Sequence, residues 1–575
     1  MKKLFAYLRP YRKETVISPL FKLLEACFDL MVPLVVKEIV DVGIANGDKP
    51  YIVAMCGVLV AFAVIGLSCT LVAQYYAARA ATGFGTDLRR DLFAHIQRLS
   101  YSETDRQGTS TLITRMTADI NQLQSGVNMT LRLFLRSPII VLGAMIMAFT
   151  VNASSALVFV IIIPLLSAVV FTIMIKSIPL FGRVQKNLDA VTSRTRENLT
   201  GVRVLRAFRK EDAEVSAFEE VNDAHYRIQN FVGGISALMN PLTLVLVNLG
   251  VILLLLSGAR LVDVGEMTQG EVLAMTNYMA QILVELIKFA NTVLLVNKAL
   301  ACGRRVEDVL DSPVGMEIVE GACEKDNDDA VTFRGVSLTY AQNAEPSIKG
   351  IHLSVKRGST VGIIGSTGSG KSSVVNLIPR FYDASEGEVL VNGRDVRSYR
   401  LDELRDRIAV VPQKAVLFSG TVRSNLLWGN EDATDDELWA ALEAAQAKEF
   451  MLQKEGGLDA PVAQGGKNFS GGQRQRLTIA RALVRKAEIL ILDDSSSALD
   501  YATDAALREA IAALPENPTV FVISQRTASI RHADTILVLE DGETVGVGKH
   551  DELLKNCEVY REIYESQFQK GGETA

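Results

Sequence analysis

A polytopic α-helical membrane domain, with six transmembrane helices and long cytoplasmic extensions, fused to an α/β P-loop domain is the fold class this sequence predicts. Three observations carry it. Nearly all the long apolar runs lie before about residue 300. The connections between those runs alternate between short ones and ones of about fifty residues. Beyond residue 329 the pattern turns globular and charge-rich, and an aliphatic strand there runs into a glycine-rich loop that opens a helix.

The bulk numbers agree with two halves. A chain of 575 residues is too long for one ordinary core. With 49% hydrophobic residues and a mean hydropathy of +0.21, it is more apolar than most soluble proteins and less so than one embedded throughout. The net charge of −6 averages two domains with different surroundings and selects no partner. No basic patch, internal repeat or low-complexity tract points to nucleic acid. The cysteines (Cys27, Cys56, Cys69, Cys302, Cys323, Cys557) form no CxxC pair, which fits a reduced setting rather than a disulfide framework. The histidines are dispersed and none is assigned to a metal. The basic N-terminus lacks a small-residue cleavage site and reads as a short amphipathic helix leading into the first span, not as a signal peptide.

Six spans are expected at about 15–41, 52–78, 129–151, 155–176, 231–258 and 270–298. Each is long enough for a bilayer core of about 30 Å at about 1.5 Å per residue. Ala156 to Ile175 is almost purely aliphatic and is the clearest of them. The loops after the second and fourth spans hold most of the Arg and Lys, including Arg79, Arg89, Arg90, Arg98, Arg106 and Arg115, then Arg183, Lys186, Arg194, Arg203, Arg206 and Lys210. Basic residues beside spans place those loops in the cytoplasm, and an even span count returns the chain there before the soluble half begins. Both loops have helical spacing (Leu92, Ile96, Leu99; Val202, Leu205, Phe208), so each is expected as two arms of about 25 residues, reaching roughly 37 Å below the membrane. In the first span, Lys22, Glu25 and Asp29 share one helix face; Glu285 and Lys288 form a similar pair in the sixth. Such groups are costly against lipid, so they are expected either as structural ion pairs or as the wall of a substrate cavity.

In the second half, the strand Val361 to Ile364 leads into Gly365-Ser366-Thr367-Gly368-Ser369-Gly370-Lys371-Ser372-Ser373 and then a helix. This is a phosphate-binding loop in its required context: glycines let backbone N–H groups face phosphates, and the helix N-terminus adds partial positive charge. Lys371 is expected to reach the β- and γ-phosphates of ATP, and Ser372 to ligate Mg²⁺ together with Asp493 at the end of a second aliphatic strand. A second glycine-rich helix start, Ser470-Gly471-Gly472-Gln473, is another anion site. One nucleotide has no need of two, so the second is expected to serve a nucleotide held by another subunit.

Together these residues resemble the ATP-binding cassette (ABC) transporters, in particular half-transporters of the type IV exporter group, over essentially the whole chain. The matching positions include Tyr340, an aromatic upstream of the phosphate loop, Gln413 in Val411-Pro412-Gln413, the signature Ser470 to Gln473, and the turn Ser497-Ala498-Leu499-Asp500. The resemblance implies that Tyr340 stacks on adenine, that Gln413 senses the γ-phosphate and Mg²⁺, and that Ser470, Gly471, Gly472, Gln473 and Asp500 act in trans on a partner's ATP. It also implies coupling helices near Ser102 to Arg106 and Arg206 to Lys210. The domains then run 1–300 (membrane), 301–328 (linker), 329–567 (cassette) and 568–575 (tail), with the N-terminus and cassette on the cytoplasmic side of the cell membrane.

Two positions depart from the family. Asp494 stands where the family has a glutamate that polarises the attacking water, and Gln525 where it has a switch histidine. Asp494 keeps the charge but is one methylene shorter; Gln525 still donates a hydrogen bond but cannot be protonated. The expectation is a chain that binds ATP at a catalytically impaired site and lends an intact signature to a partner half. That describes one half of a heterodimeric, multidrug-type exporter in the lipid bilayer, moving a small amphipathic compound, lipid or peptide. A homodimer, an exporter of a specific metabolite such as a thiol or peptide, and an ATP-gated channel or regulator are the alternatives.

Overall fold

The computed structural model describes residues 2–316, 318–319, 328–340, 345–495 and 497–568. They form two compact units, one of the residues up to Gln97 with Gln107–Ser312, the other of Arg98–Arg106 with the residues from Pro313 on. The expected tail from 569 on, and residues 317 and 320–327 of the expected linker, lie outside the described residues.

In the first unit the first expected span falls on the helix Arg12–Glu38, which continues into a π-helical turn, Ile39–Ile44. Five further helical stretches are long and apolar enough to cross a membrane: Lys49–Ile96, Thr109–Val151, Ala153–Thr200, Glu211–Asp263 and Gln269–Leu310. The first expected span is not among these five: it has the length, but Lys22, Glu25 and Asp29 lie inside it, and it differs from the others in composition for that reason. Two of the helices run 48 residues each, about 72 Å at the α-helical rise, so both extend far beyond a bilayer core. These extensions are the stalks expected from the long basic loops.

Local signals set the helix ends. Asn152 caps Ala153–Thr200 by accepting from Ser155 N at 3.1 Å. A Thr268/Glu271 capping box opens Gln269–Leu310, where Asp41 also accepts from Gly270 N at 2.7 Å. The span helices pack through Ala26, Ile140, Ala144, Phe159, Leu166, Tyr278 and Ile282, and the buried Tyr278 hydroxyl donates to Leu30 O at 2.7 Å. Leu67, Ile161, Leu253 and Leu256 stay exposed on the outer faces, as lipid-facing side chains would.

The sixth helix continues to Leu310, into the stretch expected to be linker. The reason is packing: Ala299, Cys302, Val306 and Val309 keep helical spacing and are buried, the last three in a cluster with Phe84, Leu88 and Leu92. Arg305 also pairs with the buried Asp119, Nε at 3.0 Å.

The second unit is built on a six-stranded sheet in the spatial order Glu543–Gly548, Thr535–Glu540, Thr360–Gly365, Thr519–Ile523, Ile489–Asp493 and Ile408–Val411. All its pairings are parallel except that of the first two strands. A separate antiparallel sheet runs Ile348–Lys356, Asp329–Leu338, Glu386–Val391 and Arg394–Asp395. Residues 98–106 belong to this unit. The Tyr101 ring lies 4.6 Å from that of Phe381, the Tyr382 hydroxyl donates to Asp105 at 2.6 Å, and Gly315 N donates to Arg98 O at 3.0 Å. The first expected coupling segment therefore sits on the short helix Tyr101–Gln107. The second lies at the end of another short helix, Val202–Ala207, with Val204 and Phe208 exposed.

Candidate functional site

Strand register brings the expected stations together. Ile523 stands opposite both Ile363 and Asp493, and Leu539 opposite Gly365. The carboxyl ends of four parallel strands thus deliver the glycine-rich loop, the Asp493–Asp494 pair and Gln525 to one edge of the sheet, where open α/β folds bind ligands. Gln413 arrives from the neighbouring strand, two residues past Val411, which pairs with Leu492.

These residues line one cavity of about 640 Å³, whose wall includes Lys371, Ser372, Gln413, Asp493, Asp494 and Gln525, together with Thr367, Gly368, Gly370 and Ser373. Gly370 has φ +90°, and a Cβ there would meet Ser347 O at 2.6 Å, so a side chain is excluded twice over. The Lys371 ammonium is drawn back onto the loop itself, donating to Gly365 O at 3.0 Å and Ser366 O at 2.6 Å. The Ser372 hydroxyl donates to Asp493 Oδ1 at 2.9 Å. An all-oxygen set of this kind fits a hard divalent cation such as Mg²⁺. A cation enclosed by inward-turned loop backbone fits a polyphosphate.

Asp494 has a left-handed backbone, φ +45°, with its N–H donating to Ile523 O at 3.0 Å. Aspartate tolerates that region better than most residues. Its carboxylate Oδ2 accepts from Gln413 Nε2 at 3.4 Å. Gln525 is exposed on the cavity wall.

Burial pushes the Asp493 carboxyl above the usual range; the Ser372 hydrogen bond opposes this and the charge of Asp494 adds to it. Burial raises Asp494 too, against Gln413, Lys371 and Arg526. Burial lowers Lys371, against the attraction of Asp494 and Asp493. An acid whose folded value lies above its unfolded one contributes stability that is fully present below the unfolded value, about 3.9, and is lost as pH rises through the raised folded value. At pH 7 the charged Asp494 is therefore a cost to the nucleotide-free fold. Asp494→Asn is expected to raise its Tm at pH 7, with the gain shrinking as pH falls toward about 4. Thermal unfolding across that range checks this. A gain independent of pH would assign the effect to the left-handed backbone instead, which asparagine also suits.

Other expected residues lie outside this cavity. Tyr340 does not line the cavity. Its hydroxyl lies 2.9 Å from Ser373 Oγ, and its ring meets that of Tyr382 edge-on at 4.8 Å. Ser470 to Gln473 and Asp500 also lie outside the cavity wall. Ser470 caps the helix Gly471–Val484 in a capping box with Gln473, and Asp500 caps Tyr501–Ala512 by accepting from Thr503 N at 2.8 Å.

Two groups of site residues were missed by sequence reasoning. Ser347, Lys349 and Asp541 line the cavity from turns that carry no motif. Gln567, near the end of the helix Glu558–Phe568, brackets the Gln525 segment. Its Nε2 donates to Gln525 O at 2.7 Å, and its Oε1 accepts from Thr527 N and Oγ1, both at 2.9 Å. Nothing in its sequence neighbourhood signals that contact.

Comparison with known proteins agrees along the whole chain. A family profile described as an ABC transporter transmembrane region matches residues 15–286, and one described as ABC transporter matches residues 348–497. An uncharacterized ABC transporter ATP-binding protein of Mycobacterium tuberculosis is 37% identical, covering 98% of this chain and 97% of its own length. The Bacillus subtilis protein YfiB, an uncharacterized ABC transporter ATP-binding protein, is 35% identical over 100% and 99%. The ATP-dependent lipid A-core flippase of Escherichia coli is 29% identical over 99% and 97%. In fold, the chain resembles a bacterial Atm1-family ABC exporter solved with ATP bound, with a TM-score of 0.81 at 23% identity over 97% of this chain and 98% of that one. Membrane half and cassette alike, this chain belongs to the ABC transporters, as a multi-pass half-transporter of the type IV exporter fold.

Proposed function

We propose that this protein is one half of an asymmetric, ATP-driven exporter, in which its own site holds ATP and hydrolyses it slowly while its signature completes a competent site on a partner half. ABC exporters work as dimers, and hydrolysis coupled to transport is the activity of the family. The observation that carries the asymmetric reading is the pairing of Asp494 and Gln525 on one cavity wall, beside an intact signature. The shorter Asp494 carboxylate starts from a left-handed backbone and is engaged by Gln413. Gln525 offers the γ-phosphate no charge.

The groups for phosphate and metal binding line the cavity. Lys371 and the loop N–H groups would hold the phosphates, and Ser372, Asp493 and Gln413 would hold Mg²⁺, which neutralises phosphate charge when bound. Asp494 would orient water from a carboxylate that stops short of it, so binding outlasts chemistry at this site. The substrate is proposed as a small amphipathic compound, lipid or peptide. The E. coli relative, a lipid A-core flippase by name, favours an amphiphile.

The test is the ATPase rate of the purified chain alone and after co-purification of the second half from the native membrane. Little turnover alone and strong turnover together is the expected result. Equal rates for both preparations would establish a self-sufficient homodimer instead.

A further inference from the structure

Within the membrane unit, six charged side chains from three helices form one network. Arg136 is its centre, contacting Glu285 Oε1 at 2.7 Å, Asp29 Oδ2 at 2.8 Å and Glu25 Oε1 at 3.6 Å. Lys288 reaches Glu285 Oε1 at 2.9 Å, Lys22 pairs with Glu25 at 2.5 Å, and Ser137 donates to Glu285 Oε2 at 2.8 Å. Three cations balance three carboxylates, so the network is neutral without any ligand.

It is not closed, however. A cavity of about 540 Å³ opens on Asp29, Arg136, Gln281, Glu285 and Lys288, a size that suits a small ligand or a head group. Arg136 and Glu285 are only 9% and 4% exposed, whereas the side chains of Asp29 and Lys288 are 43% and 46% exposed. Asp29 has one carboxylate oxygen on Arg136, and Lys288 has one of its three donors on Glu285.

The cavity therefore offers an exposed carboxylate at Asp29 and an exposed ammonium at Lys288. A simple cation gains from the first and is repelled by the second; a simple anion meets the reverse. Only a ligand with both charges matches the two. We propose that this cavity is a recognition site for a zwitterionic group, taking its ammonium at Asp29 and its phosphate or carboxylate at Lys288. The proposal rests on the export reading above and narrows its substrate class. It concerns binding without ATP, so it can fail while the asymmetric ATPase reading stands, and the reverse.

Phosphoethanolamine, a soluble zwitterion, and vesicles of anionic lipid with or without phosphatidylethanolamine are the probes. Binding to the purified full-length chain is measured by calorimetry for the solute and by retention of labelled lipid for the vesicles. The zwitterion is expected to bind at least tenfold more tightly than ethanolamine or inorganic phosphate alone. Asp29→Asn and Lys288→Gln are each expected to weaken it about tenfold, while ATP binding and Tm, measured alongside, confirm the fold. Preference for the lipid form assigns a head group in the membrane; preference for the solute assigns a free zwitterion. Binding of neither form, equal binding of a single-charge probe, or indifference to both substitutions overturns the proposal.

Discussion

Asp494→Glu combined with Gln525→His is expected to raise ATP turnover at this chain's own site by about a hundredfold, equivalent to about 2.7 kcal/mol of barrier. The estimate comes from reach: one methylene moves a carboxylate by about 1 Å, and a misplacement of that order costs on the order of a hundredfold. Glutamate restores the reach and histidine restores a protonatable contact to the γ-phosphate. Neither change alone is expected to recover the full gain, because residues that act on one transition state are not additive. Turnover is measured in the assembled pair with the partner's phosphate-loop lysine replaced, so that hydrolysis comes from this site alone. Glutamate at the left-handed position costs roughly 1–2 kcal/mol of backbone strain, so Tm is followed in parallel. Unchanged turnover and unchanged nucleotide occupancy in a folded double variant would remove the degenerate-site reading.

The cassette was legible in the sequence because its chemistry is contiguous. Val361 to Ser373 form a strand, a loop and a helix start within thirteen consecutive positions, and Asp493 and Asp494 follow an uninterrupted aliphatic run. The spans were legible because the bilayer imposes length and apolarity on each separately. What the sequence hid is contact between distant segments. Gln567 lies 42 residues from Gln525, and Asp105 lies 277 from Tyr382. The extension of the sixth helix to Leu310 was hidden for the same reason, since Cys302, Val306 and Val309 are held by partners from the stalk end of the helix Lys49–Ile96.

Arg136 is the strongest instance. It falls inside the expected third span, where Arg132 and Arg136 beside an apolar run are themselves the available signal, yet the partners of Arg136 are 107 and 149 residues away in sequence. The expected pairing of Glu285 with Lys288 exists, and so does that of Lys22 with Glu25. Neither pairing foretells that an arginine from the third span joins them. The choice left open for these residues, ion pairs or cavity wall, dissolves in the geometry. Lys22 is buried in the network, while Asp29, Glu285 and Lys288 belong both to it and to the cavity.

That geometry makes Arg136→Ala the second large effect. Removing the arginine strands Glu285 in a buried site with only Lys288 and Ser137, and deprives Asp29 and Glu25 of their shared cation. Breaking a buried charge network by removing one partner typically costs about 3–5 kcal/mol, because the remaining charge stays desolvated. Arg136→Ala is therefore expected to lower stability by about that amount, read as a large fall in Tm of the detergent-purified chain and a lower yield of folded protein. Glu285→Gln added to Arg136→Ala is expected to recover part of the loss, since an amide needs no counter-ion and can still accept from Ser137. The double-mutant cycle isolates the coupling of the pair. If Arg136→Ala were as stable as the unmodified chain, Glu285 would have to be solvated or protonated in the membrane unit, and the arginine would be a cavity group alone. A deep loss that Glu285→Gln partly repairs places Arg136 as the post on which the two open charges, Asp29 and Lys288, are held apart.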